Sequence, residues 1–274
     1  MYGAIIGDIL GSTFEFEELK NKNFTLFASG SEITDDTIMT VAVARALMQW
    51  RQEGGDLEDH MIRSMQSLGR KYPNPLGAYG FRFYNWIWDP FPMPYNSCGN
   101  GSAMRASPCG LLASTLEEAL AFAEASSVVS HDHPEGIKGA QATAAAVFLA
   151  KTGHSRQQIR EYIHQNFYPM DRTMEQIRAV YEFDATCQGT VPEGIIAFLE
   201  SETFEDAVRN SISLGGDADT IGAITGSIAW SFYRAQNSGG LTEDMLRLRK
   251  RAEEYMPDEF IATAAEFDRL CWKQ

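Results

Sequence analysis

Apolar residues recur at helical spacing along most of this chain, and that periodicity constrains the fold more than any other feature. Residues 37–50 (TIMTVAVARALMQW) show it most plainly. The same spacing covers residues 116–126, 137–150, 155–167, 174–183, 204–212, 220–233 and 258–272. Strand-like alternation of β-branched residues is scarce, so the reading is a mostly or wholly α chain. At 274 residues, of which 44% are hydrophobic, the chain is near the upper limit for one hydrophobic core. No Gly/Ser-rich or Pro-rich linker divides it, and one domain over residues 1–274 is expected.

The charge balance removes several functional classes. There are 37 acidic and 23 basic residues, a formal net charge of −14. Such a surface disfavours a nucleic-acid backbone or an anionic membrane as the main partner. It leaves room for a phosphate-containing substrate held locally. No uncharged apolar run reaches the roughly 18 residues that span a bilayer, so no membrane insertion is expected. Residues 1–10 are apolar but short, without a basic leader, and read as a core helix. Cys98, Cys109, Cys187 and Cys271 form no CxxC pair, which fits reduced thiols in a cytoplasmic protein.

Two short acidic motifs carry the chemistry. One is Thr34-Asp35-Asp36-Thr37; the other is Gly215-Gly216-Asp217-Ala218-Asp219-Thr220. Each stands before an apolar helical run. Each alone reads as a helix cap, because Thr and Asp accept from the first free N–H groups and acidic residues suit the positive end of a helix. Together they carry a different meaning. Adjacent carboxylates repel unless a cation or proton neutralises them. Their four carboxylates, with the hydroxyls of Thr34 and Thr220, form an oxygen-only donor set for hard divalent cations. If the motifs meet, a binuclear hydrolytic site is expected.

Other segments could complete such a site. Gly3, Gly7 and Gly11 recur every fourth residue, which lets two helices approach closely. Asp8 within that run reads as a buried residue bonded to a helix end, and Glu15 would share its face if the helix continued. The stretch 71–108 is rich in Tyr, Phe, Trp, Pro, Gly and Asn. It reads as a long helix-poor loop, a kind that is usually functional, whose aromatic rings either line a pocket or pack on the core. Within it, Gly77-Ala78-Tyr79-Gly80 and Ser97-Cys98-Gly99-Asn100-Gly101-Ser102 are turns able to offer backbone N–H groups to phosphate or ribose oxygens, or simply tight turns. His131-Asp132-His133 lacks the partners of a zinc site and reads as a ligand contact or a polar loop. No GxSxG elbow is present, so covalent nucleophilic catalysis is not expected.

The ordered set GAIIGDILGSTFE (3–15), TDDT (34–37), SCGNGSAMR (97–105), SHDHPEGIKGA (130–140) and SLGGDADTIGAITG (213–226) resembles the ADP-ribosylglycohydrolase family. The resemblance spans nearly the whole chain. It implies an all-α fold, a single compact orthogonal multi-helix domain with two Mg²⁺ or Mn²⁺ ions in a central cleft. It implies that Thr34, Asp35 and Asp36 bind one ion, that Asp217 and Thr220 bind the other, and that Asp219 bridges them. Glu15 matches a glutamate near the metals, and Glu15, Asp35 or Asp36 would act as general base. Gly77 and Gly80, with Ser97, Cys98, Gly99 and Asn100, match loops that hold the diphosphate and distal ribose, and His131 matches a substrate-side histidine. The chain departs from the animal relatives at Cys98, where they carry an aromatic residue.

The activity so implied is metal-dependent hydrolysis of the glycosidic bond between ADP-ribose and an acceptor, protein arginine in the first place or else a small ADP-ribosyl conjugate, releasing ADP-ribose. A non-catalytic ADP-ribose sensor and a binuclear phosphate-ester hydrolase are the competing readings. The retained carboxylates oppose the first, and the missing His-rich spacing opposes the second.

Overall fold

The computed structural model describes residues 1–272. Its α-helices are α1 (Tyr2–Gly11), α2 (Asp35–Glu53), α3 (Leu57–Lys71), α4 (Phe81–Trp88), α5 (Gly101–Met104), α6 (Ser107–Leu112), α7 (Leu116–Val128), α8 (Pro134–Lys151), α9 (Arg156–Asn166), α10 (Met174–Arg178), α11 (Cys187–Leu199), α12 (Phe204–Ile212), α13 (Ala218–Gln236), α14 (Glu243–Ala252) and α15 (Asp258–Cys271). Among the described residues there is no sheet. Two isolated bridges occur, Thr34 with Leu76 and Gly99 with Thr186. The all-α expectation is met.

Helix α13 is the central post, buried along Ala218–Tyr233, with α1, α8, α11 and α12 packed around it. Its contact with α1 is antiparallel and backbone to backbone. A Cβ on Gly3 would sit 2.2 Å from the Gly226 carbonyl oxygen, one on Gly7 1.9 Å from that of Gly222, and one on Gly11 2.3 Å from that of Ala218. The four-residue glycine repeat therefore does what its spacing suggested. It also sets the site, because it lays the C-terminal end of α1 against the N-terminal end of α13.

A single methyl at the centre of this contact has nowhere to go. Gly7→Ala is expected to cost about 3 kcal/mol and to lower Tm on the order of 10 °C. Gly80→Ala, where a Cβ meets nothing within 4 Å, is expected to leave Tm unchanged. Equal melting curves for the two variants would show that α1 and α13 can separate freely.

Several elements depart from the sequence expectation. The stretch 71–108 is not helix-poor, since it holds α4, α5 and the start of α6. The aromatic run Phe81–Trp88 buries Phe83, Trp86 and Ile87 at i, i+3 and i+4, a helical spacing masked by the surrounding rings. Helix α10 ends at Arg178, short of the expected residue 183. Helix α11 was unforeseen because it carries Pro192 in its interior. Helix α14 buries only Met245, Leu248 and Ala252 among its charges, and α3 starts at an Asp56 cap that accepts from Glu58 N–H.

Candidate functional site

The site is assembled from the ends of α1, α2 and α13. Asp8, one turn from the end of α1, is fully buried. Its carboxylate accepts from the backbone N–H and hydroxyl of Thr34, at 3.1 and 2.8 Å, and from the N–H and hydroxyl of Thr37. One carboxylate thus fixes the first turn of α2, the structural role read for Asp8. Burial pushes the Asp8 carboxyl up to about 6, and the four hydrogen bonds hold it back from rising further.

The two acidic motifs differ as caps. Thr34 caps α2, its hydroxyl accepting from Asp36 N–H at 3.1 Å. It is fully buried behind the cleft wall, with one lone pair left over. Asp217 is the residue before α13, but its side chain makes no capping bond. It accepts instead from Asn100 Nδ2 at 2.7 Å. The simple capping account therefore holds for the first motif and fails for the second.

The motifs meet. The Thr220 hydroxyl donates to Asp36 Oδ2 at 3.2 Å, across 184 residues of sequence. Asp36 Oδ1 is buried with no hydrogen-bond partner among the described residues. Burial raises Asp35, Asp36 and Asp219 well above the usual carboxylate range, and neighbouring carboxylates add to each: Asp8 first for Asp35 and Asp36, Asp217 first for Asp219.

Glu15 arrives by a turn rather than along α1, which stops at Gly11, so it does not share a continuous helix face with Asp8. Phe16 N–H donates to the Gly216 carbonyl at 3.1 Å, and Gly216 N–H to the Glu17 carbonyl at 3.3 Å. That pairing uses the positive φ of Phe16, Gly215 and Gly216 and ties Glu15 to the second motif. Gly77, at φ 77°, leaves room for it, since a Cβ there would lie 2.6 Å from Glu15 Oε2. Burial, then Asp217 and Asp8, push the Glu15 carboxyl up to about 7.

A cleft of about 430 Å³ opens over this wall. Glu15, Asp35, Asp36, Asp217, Asp219 and Thr220 line it, with Gly77, Gly80, Ser97, Gly99, Asn100 and His131 on its other sides. Of the expected substrate-side residues, Cys98 is not in the lining. It is spent on a backbone bond, its carbonyl accepting from Cys187 N–H at 2.9 Å. Phe83 and Tyr95, rings of the 71–108 stretch, also line the cleft, as do Phe183 and Arg105, which sequence reasoning passed over. Arg105 is fully buried and its Nε has no partner among the described residues. The one available signal was an arginine closing a run of small and apolar residues, SCGNGSAMR.

As a cation site, the wall offers only oxygen donors, and Asp36 Oδ1 is an orphan acceptor that a cation would satisfy. Among the described residues, no three His, Cys, Asp or Glu side chains stand at coordination spacing around one point. The fit therefore rests on donor chemistry and on that unpaired oxygen. Among the described residues no helix is long and apolar enough to cross a membrane, and the four cysteines are free.

Known proteins resemble this chain in sequence and in fold. The ADP-ribosylglycohydrolase family profile matches residues 1–266. The chain is 25% identical to ADP-ribosylhydrolase ARH3 of Gallus gallus, over 84% of this chain and 83% of that protein. It is 23% identical to ADP-ribosylarginine hydrolase Tri1 of Serratia proteamaculans (strain 568), over 86% and 71%. It is 23% identical to ADP-ribosyl-[dinitrogen reductase] glycohydrolase of Rhodospirillum rubrum, over 96% and 94%. A solved structure described as an ADP-ribosylglycohydrolase-related protein complex superposes with a TM-score of 0.67 at 23% identity, over 98% of this chain and 95% of that one. With its fold, its two joined acidic motifs and a family match over residues 1–266, this chain belongs to the ADP-ribosylglycohydrolase family.

Proposed function

We propose that the chain is a divalent-cation-dependent ADP-ribosylhydrolase that cleaves the bond between C1″ of ADP-ribose and an acceptor, with protein arginine the leading acceptor. One observation carries this reading: the Thr220–Asp36 hydrogen bond, which unites motifs 184 residues apart on one wall of the cleft. Family membership supports hydrolysis of an ADP-ribosyl linkage. The relatives named for arginine and for dinitrogen reductase support a protein acceptor.

In this proposal Thr34, Asp35 and Asp36 would hold one Mg²⁺ or Mn²⁺, Asp217 and Thr220 would hold a second, and Asp219 would serve both. The cations would neutralise the crowded carboxylates and act as Lewis acids toward the hydroxyls of the distal ribose and a water. The protein's own contribution is positioning and proton transfer. Glu15 faces the cleft from a fixed turn, where its carboxylate would take a proton from water. The surrounding carboxylates favour the positive charge that develops at C1″ as the bond breaks. Gly77, Gly80, Ser97, Gly99 and Asn100 shape the path for the diphosphate and ribose. Asn100 also orients Asp217, by the bond given above. Asp35 and Asp36 remain alternatives to Glu15 as the base.

The test is a panel of defined conjugates, with ADP-ribose attached to arginine, to serine and to a nucleic-acid end, assayed for free ADP-ribose with Mg²⁺ and with Mn²⁺. Multiple turnovers on the arginine conjugate are expected. Tight binding of ADP-ribose with no turnover on any conjugate would overturn the hydrolase reading and leave a sensor.

A further inference from the structure

His131 is held with unusual completeness for a residue on a cleft wall. Its N–H donates to the Ser127 carbonyl at 2.7 Å, and its carbonyl accepts from the Ser127 hydroxyl at 2.9 Å. Its ring lies 5.5 Å from that of Tyr95 and 6.2 Å from that of Phe83. Nδ1 is 2.8 Å from Ser130 Oγ, and Ser130 Oγ is in turn 2.8 Å from Arg105 Nη2. Arg105 and Ser130 are fully buried and His131 is 5% exposed.

The proton count in this chain has one good solution. A guanidinium only donates, so Arg105 must give its N–H to Ser130 Oγ. Ser130 has one hydroxyl proton to place. If His131 Nδ1 carried a proton, Ser130 Oγ would face two donors, and its own proton would be buried with no acceptor among the described residues. Leaving a buried donor unmade is more costly than the bond itself is worth. In the other arrangement Ser130 donates to Nδ1, the Ser130 hydroxyl has both a donor and an acceptor, and the ring proton sits on Nε2, on the residue's cleft side.

We infer that Arg105 and Ser130 form a directed hydrogen-bond relay that locks His131 in its Nε2–H tautomer, so that the cleft presents a neutral imidazole donor to an acceptor oxygen of the substrate. Nε2 has no protein acceptor among the described residues, and His131 lines the cleft. Gly101 keeps the approach open, since a Cβ there would stand 3.2 Å from Nε2. Burial, then the nearby Arg105 and Arg82, hold the ring well below its usual pKa, which favours the neutral form. The pairing also gives Arg105 a purpose. It makes no ion pair among the described residues, and Nη2 is spent on Ser130 and on the Ser126 carbonyl. Ser130 and Arg105 are thus positioning residues. What His131 donates to rests on the proposed function; its tautomer does not.

The relay is tested on the full chain labelled with ¹⁵N, by the ring ¹H–¹⁵N multiple-bond spectrum of ligand-free protein near pH 7. The expected pattern is an unprotonated Nδ1 and a protonated Nε2 on His131. Ser130→Ala should remove that single-tautomer signature and raise KM for the ADP-ribosyl substrate roughly 3- to 10-fold, with kcat little changed. His131→Gln, which keeps an N–H near the ε position, should bind ADP-ribose within about threefold of the parent, and His131→Asn, which keeps only the δ position, about tenfold more weakly. A protonated Nδ1 in the parent protein, an unchanged ring spectrum in Ser130→Ala, or equal binding by the Gln and Asn variants would overturn the relay. The spectrum is read without ligand or turnover, so it stands or falls separately from the hydrolase assignment.

Discussion

Asp219→Asn is expected to reduce release of ADP-ribose roughly a thousandfold, about 4 kcal/mol of lost transition-state stabilisation, while the fold survives. The substitution is nearly isosteric. Asp219 Oδ1 accepts from Thr220 N–H at 2.9 Å, and an amide oxygen accepts the same bond. What disappears is one negative charge between Asp217 and Asp36, the two carboxylates that press hardest on Asp219. In the proposed site that charge is the one shared by both cations, so its loss weakens both at once. In cation-free protein the same change relieves repulsion between buried acids, so Tm should hold or rise. The combination separates a ligand from a structural residue: activity and cation affinity fall together while the metal-free fold is no weaker. Full activity in this variant, or a collapse of the cation-free fold, would remove Asp219 from the centre of the account.

Much of this arrangement is legible in the sequence because backbone-scale constraints leave regular marks. Gly3, Gly7 and Gly11 record the approach of α1 to α13 at every fourth residue, since no side chain fits there. TDDT and GGDADT record helix starts with more charge than capping requires. What the sequence hid was long-range partnership. Nothing local to Asp217 says that its carboxylate is taken by Asn100 rather than by its own helix. Nothing local to Asp8 says that it bonds Thr34 and Thr37. The aromatic helix Phe81–Trp88 was obscured because apolar rings occupy its exposed positions too, Phe81 being 80% exposed at the cleft mouth. A segment that lines a pocket has two apolar faces, and periodicity fades where both are needed. The resemblance sets Cys98 on the substrate side, whereas Cys98 is absent from the cleft lining and its carbonyl accepts from Cys187 N–H at the start of α11. Arg105 was passed over because a buried arginine with no acidic partner is rare and leaves no periodic mark.

Stripping divalent cations is the second change with a large expected effect, and it acts on stability as well as on turnover. Burial raises Asp8 to about 6, and burial with the nearby Asp217 and Asp8 raises Glu15 to about 7, against roughly 4 in an unfolded chain. A raised carboxyl means that the folded state binds its proton more tightly than the unfolded state does. Stripped protein should therefore be favoured at low pH and lose stability as pH rises from about 4 to about 7. Bound cations would remove that penalty by neutralising the carboxylates. Acid pairs elsewhere act in the opposite sense, as with Glu259, which Lys71, Tyr72 and Arg45 hold down to about 2. The informative quantity is thus the Tm of cation-loaded protein minus that of stripped protein, which should widen across this pH range.

The most direct test of the central claim, that the two acidic motifs form one cation-dependent hydrolytic site, is release of free ADP-ribose from an ADP-ribosylarginine peptide by a single sample. It is measured first with Mg²⁺ or Mn²⁺, then in excess chelator, then after the cation is restored. The expected result is turnover, a fall of roughly a thousandfold, and full recovery. Undiminished release in excess chelator would contradict the account.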